Sequence, residues 1–482
     1  MRPVPGSSSL SGEAGSFLPR QLRRVALACF ILAMTVSLLS HGAVYPAASA
    51  VALLLLLLAT LLAGVVEGIQ KSNRRSVYWL LGLWWAIVLY SLVLAAPLPA
   101  FISGHPAWSA LRDVGIEATK HFSPAPANVI EALVPIGIPF ATALSALLLF
   151  KTDRDIDKTL QVFAFTGALF ATVAIIQFSF FPKVLMFAEK RFYIGSLTAP
   201  FVNRNTAATF YGLTLVAQLC QFRIKALADM LRSGGPAKRS IPIANLLMIS
   251  AAIVTFIALL LTNSRAGIFS TAVGVAIYVA GNIIVPAPAK PGMGFARSTT
   301  RTRGRQIIYA LGGLVLVLML FWLYGGRAAL RAEIQGLDDG RFCILPGVWR
   351  AIGDNLWTGI GPGVFGVYFP AYRDPACGLG GFWELAHNFY LDGFLAFGLV
   401  FWIFIGAGIG ILVVSCAEGL RNRRSRRPIV WAGIASSFIV AVHATLDFSI
   451  QIPGFSSWWA LLIALVLTTC TGRTKYRSKL TK

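Results

Sequence analysis

Charge is what this sequence lacks. Only 13% of its 482 residues are Asp, Glu, Lys or Arg, against about 25% in an ordinary soluble domain. Hydrophobic residues make up 56% and the mean hydropathy is +0.72, which excludes a soluble globular protein. Acidic residues are scarcest, 19 against 42 basic, so the net charge is +23. Histidine (5) and cysteine (6) are few and scattered. No set of them, and no carboxylate cluster, has metal-ligand spacing, so neither a metal nor another cofactor is expected. Gly359-Ile-Gly-Pro-Gly-Val-Phe has no strand before it and no Lys-Ser/Thr after it, so it is no nucleotide-cradling loop. It reads as a rigid turn returning a long loop to the membrane. The first apolar run lacks the usual small-residue cleavage site, so no cleaved signal peptide is expected.

What is present is apolar length. Crossing a hydrocarbon core takes roughly 17–25 residues, and twelve runs approach it: Arg24–Ser40, Pro46–Val66, Ser76–Ala96, Val129–Phe150, Leu160–Phe181, Asn205–Phe222, Ile243–Leu261, Ala266–Val285, Ile307–Tyr324, Asn388–Cys416, Ile429–Leu446 and Ser456–Cys470. Lipid offers unpaired backbone groups no partner, so the runs must be helices. The expected fold is an all-α integral membrane protein of about twelve spans. Most of the 42 Lys and Arg fall in short segments on one side, which puts both termini in the cytoplasm. The basic residues therefore serve topology and contact with membrane lipids; nucleic acid is not an expected partner.

The expected organisation is a cytoplasmic tail (1–24), N-terminal helices (25–242), a core (243–416), C-terminal helices (417–471) and a basic cytoplasmic tail (472–482). The outer segments are a Pro-rich loop, Pro97–Asn128, with an amphipathic stretch at Trp108–Lys120; Pro182–Arg204; and a long, partly helical loop, 325–386, rich in aromatics. Loops this long are functional or disordered. Cys343 and Cys377 share the long loop, where an oxidising compartment would let them pair. The inner segment Pro286–Arg305 is rich in Pro, Gly and Arg.

Polar residues at the membrane boundary need a reason. Leu261-Thr-Asn-Ser-Arg-Ala-Gly joins two spans almost without a loop, with Gly267 permitting the turn. Arg265 there either snorkels to headgroups or holds a fixed guanidinium fork for a phosphate. In Glu384-Leu-Ala-His-Asn-Phe-Tyr-Leu-Asp, a helix would pair Glu384 with His387 and Asn388 with Asp392 on shared faces. His387 is then either part of a polar cap or a general base beside a carboxylate, and Asp392 a partner of Asn388. His443 and Asp447, four apart, suggest core packing or helix capping. All five histidines, with Arg191, Arg204 and Arg265, fall on the outer side. Such a pocket suits an anionic ligand presented by the membrane, such as a lipid-linked diphosphate.

Asn263-Ser-Arg-Ala-Gly, Gly359-Ile-Gly-Pro-Gly-Val-Phe and His387-Asn-Phe-Tyr-Leu-Asp-Gly-Phe-Leu-Ala-Phe-Gly, in that order on one side, resemble the O-antigen ligase and polymerase family of bacterial membrane glycosyltransferases. Phe201-Val-Asn-Arg-Asn and the phrase from His443 to Pro453 are similar to patterns in some members. The resemblance is densest over Ile243–Cys416. It implies a metal-independent, cofactor-free transfer at the periplasmic face of the inner membrane. The donor would be a glycan on undecaprenyl diphosphate; the acceptor would be lipid A–core for a ligase or a growing polysaccharide for a polymerase. It implies His387 as base and Arg265 as a diphosphate ligand, with a long-loop arginine (Arg350 first, then Arg341 and Arg331) as a third site. Arg191 and Arg204 would assist, and Glu384, Asn388 and Asp392 would support. A twelve-helix transporter or flippase would explain the spans equally well, but not charges gathered at one face instead of mid-membrane.

Overall fold

The computed structural model describes residues 10–222, 243–284, 340–377 and 382–472. In chain order its elements are α1 (Leu10–Leu39), α2 (Pro46–Glu67), α3 (Arg74–Ala95), the short α4 (Pro106–Asp113), α5 (Pro126–Leu149), α6 (Asp153–Phe180), a hairpin of β1 (Val184–Leu185) and β2 (Ala188–Glu189), α7 (Arg204–Gln221), α8 (Ile243–Leu261), α9 (Arg265–Ile284), α10 (Gly340–Asp354), α11 (Phe389–Phe397), α12 (Val400–Asn422), α13 (Arg427–His443) and α14 (Pro453–Thr471). Each expected span falls on a helix except Ile307–Tyr324, which lies outside the described residues, as do Pro286–Arg305, Arg327, Arg331 and residues 473–482. Among the described residues, seven helices are long and apolar enough to cross a membrane: α1 from Leu18, α2, α3, α5, α6, α12 and α14. The chain is thus an all-α, multi-pass membrane protein.

Burial sorts the helices. In its most apolar window α14 is 83% buried and α12 only 17%, so α14 is central and α12 faces outward. Packed on α6, α8, α9 and α13, α7 explains its own composition: Asn205, Thr206, Thr209, Thr214 and Gln218 are all buried. Gln218 donates to the Ala164 carbonyl (3.1 Å) and to Thr255 Oγ1 (2.9 Å), the interhelical bonding that replaces a hydrophobic drive inside lipid. Gly267 acts here rather than in the turn before it. A Cβ at Gly267 would collide with that of Ala208, so its lack of a side chain lets α9 close on α7. Gly267→Ala is expected to destabilise the fold by about 1–3 kcal/mol, read as a lower unfolding temperature in detergent.

The expected continuous span Asn388–Cys416 is two helices. The chain turns at Gly398 (φ 57°), and backbone from the glycine-rich phrase completes the end of α11. The N–H groups of Ile360 and Gly361 donate to the carbonyls of Leu395 (2.9 Å) and Ala396 (2.8 Å), and Leu399 N–H donates to Leu356 O (2.9 Å). Gly359 has φ 70°, and a Cβ there would meet the Ala396 carbonyl oxygen at 2.5 Å. Only glycine suits both the conformation and the approach.

The described part of the long segment, residues 340–377 and 382–386, is folded. Its own apolar cluster includes Ile344, Val348, Ile352, Val364, Phe365 and Phe369, packed on Val129 of α5 and Leu391 and Leu395 of α11. Cys343 and Cys377 are joined in a disulfide, Cα atoms 5.7 Å apart.

In the Pro-rich outer loop the helix is α4 rather than Trp108–Lys120. It starts early because His105 caps it, Nδ1 accepting from Ala107 N–H (3.2 Å), and Pro106 opens it; Gly115 (φ 81°) follows its end. His105 also clasps the long segment, Nε2 lying 3.3 Å from Tyr368 Oη. Burial lowers the His105 pKa below the ordinary 6.5, a side-chain hydrogen bond to Asn355 opposing it more weakly. Below about pH 6.5 the unfolded state then binds more protons than the folded one. The clasp is fully stabilising above that pH and weakens as pH falls through it. Protection from hydrogen exchange over residues 97–125, taken relative to the intrinsic amide rate at each pH, is expected to fall between pH 7.5 and 5.5, and His105→Gln to remove that difference.

At the opposite end, several basic residues are paired rather than committed to lipid. Arg23 and Lys151 share Glu67 (2.8 and 3.2 Å), and Arg75 meets Glu418 at 2.9 Å.

Candidate active site

Three helix N-termini and one loop meet at a buried carboxylate. Asp447 is fully buried. Its oxygens accept from Asn203 Nδ2 (3.3 and 3.4 Å), Asn205 Nδ2 (3.3 Å) and Ser449 Oγ (2.5 Å). His387 Nδ1 lies 4.0 Å from Asp447 Oδ1. His443 and Asp447 are both buried, as core packing expects; α13 stops at His443, and the chain beyond it brings Asp447 to within 4.0 Å of His387.

Asn203 caps α7, its Oδ1 accepting from Asn205 N–H (2.8 Å). Ser264 holds α9 in the same way, Oγ accepting from Gly267 N–H (3.2 Å) while donating to Asn205 Oδ1 (2.7 Å). The contacts Ser264–Asn205–Asp447–His387 therefore run unbroken from the arginine turn to the imidazole. Arg265, exposed, is the first residue of α9, and Arg204 the first of α7, its guanidinium 5.4 Å over the Tyr193 ring. A cation there opposes the helix dipole by about 0.3–1 kcal/mol, whereas an anion is favoured. Two arginines at two such termini fit a place where an anion is meant to sit.

The turn before Arg265 is held from behind. Asn263, at φ 54°, donates to Gly195 O (3.1 Å) and Ser196 Oγ (3.4 Å). The buried Lys190 Nζ donates to Ser196 O (2.5 Å). Arg191 is exposed on this hairpin segment, 3.5 Å from Glu189, so its charge is partly countered.

His387 is itself in the left-handed region, φ 54°, a strained conformation for a side chain with a Cβ. Its neighbours enforce it. Ala386 N–H donates to Asp392 Oδ1 (3.2 Å), whose other oxygen accepts from Gln451. Asn388 Nδ2 donates to Thr445 O (2.8 Å), and Phe389 N–H to Ala444 O (3.0 Å). Trp383 and Phe448 meet the imidazole edge-on at 5.2 and 4.8 Å. Strain held from several sides points toward function.

The expected helix from Glu384 is absent. α11 starts at Phe389 with Asn388 as its cap, Oδ1 accepting from Tyr390 and Leu391 N–H. Glu384 is exposed and outside any helix, so the carboxylate facing the imidazole is Asp447. Asp392, expected to partner Asn388, instead anchors Ala386 from inside α11. Asn203, Asn205 and Ser264 stood in quoted phrases without a role of their own, and Asp447 was expected only to pack in the core or cap a helix. The asparagines of Phe201-Val-Asn-Arg-Asn were the available signal.

Arg350 belongs to a different cleft. On α10, it donates to Tyr372 O (3.1 Å) and lines a cavity of about 640 Å³ with Asp354, Tyr372, Arg373 and Asp374. The side chain of Arg341 lies outside the described residues.

Residues 250–406 match a family model described as O-antigen ligase; no curated protein matches the chain. The matched segment contains the Ser264-Arg265 turn, the glycine-rich cap of α11 and His387, while Asn203, Arg204, Asn205 and Asp447 lie beyond it. It is over this segment that the chain is similar to the O-antigen ligase family.

Proposed function

We propose that this is an inner-membrane glycosyltransferase with twelve spans, both termini cytoplasmic and its site facing the periplasm. It would transfer a glycan from undecaprenyl diphosphate to a hydroxyl of lipid A–core. The observation that carries the reading is the continuous Ser264–Asn205–Asp447–His387 contact chain, which joins a base candidate to an anion-binding helix terminus.

In this reading, Asp447 facing Nδ1 favours the His387 tautomer protonated there, and Nε2 takes the proton of the acceptor hydroxyl. The hydroxyl oxygen attacks the anomeric carbon as the bond to the diphosphate breaks, inverting that carbon without a metal. Arg265 and Arg204, with the N–H groups of α9 and α7, receive the charge building on the leaving diphosphate. Arg191 would draw the donor in, while Arg350, in its separate cleft, takes no part in this step. Asn388 and Asp392 hold the His387 backbone, and Glu384 lies at the rim.

The test is purified full-length protein given lipid-linked donor. Release of undecaprenyl diphosphate with glycan joined to lipid A–core supports the reading, and transfer onto a second lipid-linked glycan makes it a repeat-unit polymerase. Donor moved across a vesicle bilayer without release of lipid diphosphate would make it a transporter or flippase instead.

A further inference from the structure

The cleft holding Arg350 is built differently from the Asp447 site. Among the described residues its charged walls are two arginines, Arg350 and Arg373, and two carboxylates, Asp354 and Asp374, so positive and negative charges balance there. A diphosphate pocket wants an excess of positive charge; this cleft alternates donors with acceptors. Arg350 commits one nitrogen to Tyr372 O. Asp354 Oδ2 accepts from Tyr372 Oη (2.8 Å), and Asp374 Oδ1 accepts from Ala376 N–H (2.9 Å). An ionised carboxylate has about four lone-pair sites and a guanidinium five N–H donors, so these groups keep capacity facing the cleft. Hydroxyl groups, which donate and accept at once, are the ligand matching such a wall, and the Tyr372 ring adds an apolar face.

The walls are also pre-set. Tyr372 Oη is 2.9 Å from Tyr368 Oη, which accepts from Asn355 Nδ2 (2.8 Å). The Cys343–Cys377 disulfide ties the start of α10 to the chain just after Pro375. A volume of about 640 Å³ lies within the roughly 300–1,000 Å³ typical of small-molecule sites.

We propose that this cleft is a saccharide subsite, holding sugar residues of a glycan away from the bond being made, and that Arg350 serves it rather than the diphosphate. The source of the sugar rests on the glycosyl-transfer reading; the cleft's preference for neutral, hydroxyl-rich ligands does not.

The test uses purified full-length protein and two lipid-free, phosphate-free oligosaccharides, one from the lipid A–core acceptor and one from the donor glycan, with binding followed by calorimetry. One of them is expected to bind, and which one identifies the source. Asp374→Ala and Arg350→Ala should each weaken it about tenfold or more, and the double change Cys343→Ser with Cys377→Ser should weaken it in the same direction. Both single variants should still bind undecaprenyl diphosphate. The proposal is overturned if neither oligosaccharide binds, if the single variants stay within twofold, or if Arg350→Ala loses the lipid diphosphate instead. Oligosaccharide binding lost with Asp374→Ala, in a protein that transfers no glycan, would keep the cleft and sink the transferase reading.

Discussion

His387→Ala is expected to lower the transfer rate by about 10²–10⁴-fold, the range that general-base assistance supplies, or roughly 3–5 kcal/mol of barrier. The loss should appear in kcat with donor KM little changed, because the imidazole acts on a proton in flight and does not grip the donor. Folding should survive: Asp447 keeps Asn203, Asn205 and Ser449 as partners, and the imidazole is partly exposed. Asp447→Asn offers a graded companion, retaining the size of the side chain but not the charge facing Nδ1, and should fall between the two. Transfer assays on protein matched for membrane abundance check both. Near-normal turnover by His387→Ala would remove the imidazole from the chemistry.

Arg265→Ala is the second large loss. Removing a fixed donor from a leaving group typically costs about 10²–10³-fold, and here it should show in kcat/KM. Lysine should restore little, since a point charge cannot replace a two-pronged fork. Stability should move the other way. Arg265 is exposed at the first position of α9, where a cation works against the helix dipole, so the alanine variant should melt no lower than the parent, and slightly higher at low salt. A residue that aids the helix when removed yet abolishes transfer is there for its ligand. Unfolding of the variant at a markedly lower temperature would instead mean that Arg265 holds the fold.

The helices were legible because lipid makes apolar length a near-sufficient signal, and the runs from Pro46 to Val66 or Leu160 to Phe181 sit almost where α2 and α6 do. The break at Gly398 was not. Phe-Gly-Leu-Val inside an apolar run keeps its hydropathy, and the donors that let the helix stop, Ile360 and Gly361, come from almost forty residues upstream. In the site, His387 and Arg265 stood out as polar residues at a membrane boundary. Asp447 was legible only as a residue for the core or a cap: α13 ends at His443, so the spacing of four does not tell what the carboxylate meets. Its true neighbours lie in α7 and before α11, a tertiary fact without local signature. Glu384 attracted attention by an assumption of helix.

The glycine-rich cap on α11 also constrains movement. Raising that stretch of backbone would strip partners from the Leu395 and Ala396 carbonyls in apolar surroundings, at several kcal/mol for each group left bare. The backbone at Ile360 and Gly361 is therefore pinned to the end of α11 and is a poor place for a hinge, so any movement of the long segment falls to the chain on either side of it.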